Sequence, residues 1–215
     1  MSAFKIVAKP QEIESRLAAF DVTKEDLLRV VHAAVAAKAD AVLNDPVNAA
    51  GQLSYIYGTR ALRDILCAKG WAINRSGNIE SAYHAGKGIK IVFQNADSAC
   101  ELFRDPKAIS GKGPAATRAV ELGQHLLFPQ FEEEARQRAE QLSQEEKAAI
   151  WYFCVCIDGD NVSAELSWPR AIDDKQFNGF NERIFVLPHN EWHAAQISDD
   201  EPTEQDFEIK VVKKS

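Results

Sequence analysis

The sequence predicts an α+β fold: a helical N-terminal third packed on a mostly antiparallel sheet, with two further helices and a flexible acidic C-terminal tail. Three observations carry this. Apolar residues recur at helical spacing through the first third, the period shortens to two from Trp71 onward, and short glycine-bearing turns join the strands. At 215 residues and 46% hydrophobic, the chain can bury a core of ordinary size. We expect one domain over residues 1–196, with 197–215 as an acidic linker and tail. Two sub-cores meeting near residue 105 are the alternative.

Ile13, Leu17 and Phe20 share one face of a helix over residues 10–20. A second helix starts at Thr23 as N-cap, with Asp26 three residues on, and runs to Leu43 until Asn44, Asp45 and Pro46 stop it. A third, Leu53 to Ala68, presents Leu53, Ile56, Tyr57, Ala61, Ile65 and Leu66 and closes at Gly70. Strands over 71–74, 78–83 and 89–94 then form an antiparallel meander, turning at Gly77 and again at Gly86 to Gly88. Asp97 or Ser98 caps a short helix that Pro106 ends.

Gly111, Lys112 and Gly113 lead into Pro114, whose fixed φ suits the first position of a helix running to Leu127. Pro129 separates it from a charged helix over 130–142. The run Ile150 to Ile157 is apolar on both faces and predicts a central strand. Asp158, Gly159 and Asp160 turn it into Asn161 to Trp168, where Val162, Ala164, Leu166 and Trp168 alternate with Ser163, Glu165 and Ser167. That alternation predicts a hairpin with one wet face. A last strand covers Arg183 to Leu187, and Phe207, Ile209 and Val211 offer an edge strand in the tail.

Charge is the strongest functional signal. Net charge is −1 over residues 1–59, +5 over 60–118 and −11 over 119–215, within −7 for the chain. A basic middle in an acidic protein predicts a locally positive face for an anionic partner. Arg60, Arg63, Lys87, Lys90, Gly111, Lys112, Gly113 and Arg118 are its candidate anion-binding residues. The Gly111–Gly113 loop is the best case, because a helix N-terminus directs free N–H groups and a positive dipole end at an anion. It is not a Walker A loop, which needs a longer glycine spacing and Lys followed by Ser or Thr.

The leading functional expectation is therefore a non-catalytic intracellular protein that binds an anionic partner, DNA or RNA foremost, with Tyr55, Tyr57 or Tyr83 available to stack on bases. The alternative is a Mg²⁺-dependent phosphodiesterase or nuclease using Asp158, Asp160, Glu165 and Glu80, although no lysine follows Glu165 as such sites favour. A third reading is a protein-interaction module, a regulator or inhibitor acting through the acidic C-terminal half.

Outside the alternative, no metal or cofactor is expected. Cys67, Cys100, Cys154 and Cys156 form no CxxC pair and read as reduced thiols. No histidine has a companion nucleophile at recognisable spacing. No apolar run is long enough to span a bilayer, so the expectation is a cytoplasmic protein with no membrane partner.

Overall fold

Seven strands form one sheet because nearly every residue of its central strands is buried, which requires cover on both faces. The structure is a computed structural model and describes residues 4–127 and 143–192. The elements are β1 (Lys5–Val7), α1 (Pro10–Ala18), α2 (Lys24–Ala39), α3 (Ala49–Cys67), β2 (Ala72–Asn74), β3 (Ser81–His84), β4 (Ile89–Asn95), α4 (Pro114–Leu127), β5 (Ala149–Asp158), β6 (Asn161–Pro169), β7 (Ile172–Asp173), β8 (Gln176–Phe177) and β9 (Phe180–Leu187). The main sheet runs β1-β9-β6-β5-β4-β3-β2, while β7 and β8 form a separate hairpin. Among the described strands only the β4–β5 and β1–β9 pairs are parallel. The fold is α+β with a helical N-terminal third and a mostly antiparallel sheet.

Alternation along the strands creates two cores. On one face Ile91, Phe93, Trp151, Phe153, Val155, Leu166 and Ile184 meet Ile13 and Leu17 of α1, Leu27, Val30 and Val31 of α2, and Leu62 and Leu66 of α3. On the other, Val92, Ile150, Tyr152 and Cys154 meet Ala116 and Val120 of α4 and Ile172, Phe177 and Phe180. Thr23 caps α2 in a reciprocal box with Asp26.

Several expectations need correction. Helix α2 ends at Ala39 rather than Leu43: Val42 and Leu43 are exposed, and Asp45 instead accepts the Val42 N–H at 2.9 Å in a turn. Helix α3 starts four residues early, at Ala49. No helix follows Asp97. Its carboxylate accepts the Lys107 N–H at 2.7 Å, and Cys100 takes the left-handed conformation (φ 59°), so the segment is a loop that returns to bridge Ala96 with Ala108. The meander holds, but residues 76–78 form a helical turn and β3 begins only at Ser81. Strand β9 starts three residues early, and β1, too short for any periodic signal, exists only by pairing with it.

The expected wet face of the hairpin is dry. Ser163, Glu165 and Ser167 are all fully buried, because Arg183 of β9 and the loop over residues 100–105 close over them. The expected helix over 130–142 and the tail strand lie outside the described residues.

Candidate functional site

Strand β4 has a break in its outer neighbour. β3 pairs with it only as far as Ser81 opposite Val92, and the returning loop takes over at Asn95, whose carbonyl accepts the Ile109 N–H at 3.0 Å. Between them, at Phe93 and Gln94, the edge opens into a cleft of about 740 Å³. The N-terminal half of α3 walls one side, and residues 109–113 with the start of α4 wall the other.

Each wall is fixed by a specific contact. Gly58 brings α3 against β4 so closely that a Cβ there would overlap the buried Phe93 ring. Asn95 staples the same two elements, donating to the Gly51 carbonyl at 2.9 Å and accepting from the Ser54 hydroxyl at 3.0 Å. Across the cleft, the Lys112 N–H donates to the Lys175 carbonyl at 2.8 Å, which turns the side chain inward.

The Lys112 ammonium donates to Gln94 Oε1 and lies 4.3 Å from the Tyr152 ring centre and 5.0 Å from that of Phe177. These are cation–π distances. No carboxylate pairs with it among the described residues, and burial pushes its pKa down to about 8. Tyr152, which also lines the cleft, has a buried hydroxyl with no hydrogen-bond partner among the described residues. Burial raises the pKa of that phenol. An unpaired ammonium and an orphaned hydroxyl on one cleft are two polar groups whose burial costs free energy until a ligand satisfies them.

The other basic residues do not gather there. Arg63 pairs with Glu80 and donates to the Asn74 and Ser81 carbonyls, and Arg75 shares the same carboxylate at 3.4 Å. Lys87 meets Asp21 at 2.9 Å, Lys69 meets Asp26 at 2.5 Å, and Arg104 meets Asp97 at 2.8 Å. Lys90 is 4% exposed and donates to the Ser76 hydroxyl at 3.0 Å, with burial lowering its pKa. Arg60 lies over the Tyr57 ring on the outer face of α3, and Arg118 is exposed on α4. Of the loop Gly111, Lys112 and Gly113, the lysine side chain faces the cleft, but the expected N–H cradle is reduced to the Gly111, Gly113 and Ala115 groups. Pro114 has no donor, and the Ala116 and Thr117 N–H groups bond to the Gly113 carbonyl.

The carboxylates of the nuclease alternative are also separated. Glu165 accepts from Arg183 Nε and Nη2 at 2.7 Å each, from the Cys100 N–H at 2.5 Å and from the Ser167 hydroxyl at 2.6 Å. Asp158 and Asp160 lie at the β5–β6 turn, whereas Glu80 precedes β3 and pairs with Arg63. Among the described residues no group of three His, Cys, Asp or Glu side chains is placed to hold a metal ion. Nor is any described helix long and apolar enough to cross a membrane.

Sequence reasoning singled out Lys112 but missed Gln94 and Tyr152. Gln94 ends a strand, and Tyr152 sits in a run apolar on both faces, where a phenol reads as core. The one available signal was that a buried tyrosine hydroxyl needs a partner, and no neighbour in sequence supplies one. The class of protein that the fold and cleft define is an α+β protein whose sheet opens into a cleft at Phe93 and Gln94 beside the half-buried Lys112 amine. Compared with protein-family models, with curated proteins and with solved structures, the chain matches none.

Proposed function

We propose that this chain is a non-catalytic binding protein that takes an anionic partner, with the anionic group seated at Lys112 in the cleft. The observation that carries the reading is the Lys112 ammonium: half-buried, inside a cleft, and without a carboxylate partner among the described residues. Buried cations are ordinarily paired. A bound anion would complete this one while Gln94 and Tyr152 supply neutral hydrogen bonds.

The nucleic-acid form of this reading has weaker support than its small-ligand form. Tracking a phosphate backbone needs several free cations on one surface. Five side chains of the basic segment, Arg63, Lys69, Arg75, Lys87 and Arg104, have acidic neighbours, and Lys90 is buried.

The test is fluorescence titration with 8-anilinonaphthalene-1-sulfonate, an apolar monoanion. The parent protein is expected to bind it with enhanced emission, and Lys112→Met to weaken that binding at least tenfold. Equal binding by parent and variant, with both folded by circular dichroism, would overturn the assignment of the anion to Lys112.

A further inference from the structure

Resting on that reading, we infer that the ligand is an amphipathic monocarboxylic acid: a single carboxylate at Lys112 carried by an aromatic or branched apolar body. Charge count sets the first half. Lys112 is the one lysine or arginine among the described residues that line the cleft, and Glu80, which also lines it, is already paired with Arg63 and Arg75. That arrangement leaves one uncompensated positive charge, enough to balance one negative charge on a ligand.

Backbone geometry points the same way. A phosphate at a helix start is held by several converging N–H groups. Here Lys112 N–H is bonded to Lys175, Pro114 has none, and those of Ala116 and Thr117 are bonded to Gly113. Besides the Gly111 and Gly113 N–H groups, the cleft offers two side-chain donors, the Lys112 ammonium and the orphaned Tyr152 hydroxyl. Two such donors suit the two oxygens of a carboxylate, which accept along separate lone-pair directions.

The apolar body follows from the cleft mouth. Tyr55 and Ile56 are 38% and 48% exposed, Ile109 is 64% exposed, and Val47 is fully exposed, yet all four line one opening. Apolar side chains gathered around a concave site mark where a ligand removes them from water. The cleft of about 740 Å³ falls in the range of small-molecule sites and leaves room for a body of two fused rings beside the carboxylate.

The experiment compares three probes on one scaffold: 1-naphthylacetate, 1-naphthyl phosphate and 1-naphthaleneethanol, each titrated calorimetrically into the full chain at pH 7. The carboxylate is expected to bind at least tenfold more tightly than either of the others and to lose at least tenfold in Lys112→Met. Tyr152→Phe is expected to weaken the carboxylate severalfold while raising the melting temperature of the free protein, because it deletes a buried hydroxyl that has no partner. This second variant keeps the test valid should Lys112→Met fold poorly. Tighter binding of the phosphate that still depends on Lys112 would overturn the carboxylate assignment and leave the anion site standing. Failure of all three probes, or preference for the alcohol, would overturn both.

Discussion

Removing the Glu165 carboxylate tests whether that residue is structural. In Glu165→Ala four donors lose their acceptor at once: Arg183 Nε, Arg183 Nη2, the Cys100 N–H and the Ser167 hydroxyl. Arg183 is fully buried, and what remains to it is Nη1, bonded to the Glu101 carbonyl at 3.0 Å and to Asp105 at 3.2 Å. Half of Asp105 faces water, so it compensates weakly. Leaving a buried charge without its partner costs about 3–5 kcal/mol. For a chain of this size each kcal/mol moves the melting temperature by about 2–4 °C, so a fall of about 6–20 °C is expected. Urea unfolding followed by tryptophan fluorescence measures it directly. The double variant Glu165→Leu with Arg183→Met is expected to recover at least half of the loss, since an apolar pair of similar volume needs no desolvated charge. A Glu165→Ala protein within about 1 kcal/mol of the parent would refute the reasoning, because that is the range of exposed pairs.

Three further outcomes are expected. Gly58→Ala gains about 1 kcal/mol of helix propensity but forces a Cβ to within 2.4 Å of the buried Phe93 ring, an overpacking at the upper end of about 1–3 kcal/mol, and the net is a loss of up to about 2 kcal/mol; Gly51→Ala, with nothing within 4 Å, is the control in the same unfolding assay. Binding of 8-anilinonaphthalene-1-sulfonate should fall as pH rises through about 8, where Lys112 loses its proton. The Tyr152 phenol and the Cys154 thiol beside Lys112 are both held neutral there by burial, and Glu80, the other charged residue lining the cleft, is paired with Arg63, so a flat pH profile would count against Lys112. Asp26 feels burial that would raise its pKa, but Lys69, Thr23 and Arg29 together hold it at about 2, below its ordinary value near 3.8. Its depressed value stabilises the fold above pH 4 and loses that effect as pH falls toward 2, so the stability gap between the parent and Asp26→Asn should narrow over that window in acid titrations.

Periodicity and capping chemistry are local, so the chain alone determined the helices at Thr23 and Pro114, the meander, the central strand β5 and the α+β class. A Thr23–Asp26 box or a proline at a helix start acts through neighbours a few residues away and needs no tertiary partner. What tertiary structure decided is where each charge ends. The sequence offers ten cations between Arg60 and Arg118, but pairing across the fold, as in Lys87 with Asp21 and Lys69 with Asp26, neutralises half of them. The same contacts across long sequence separations made Glu165 an Arg183 partner instead of a wet-face residue and gave β1 a strand to pair with. The cleft itself arises where β3 leaves β4 before the loop returns at Ile109. That break is set by the relative reach of two segments, and no local pattern of residues encodes it.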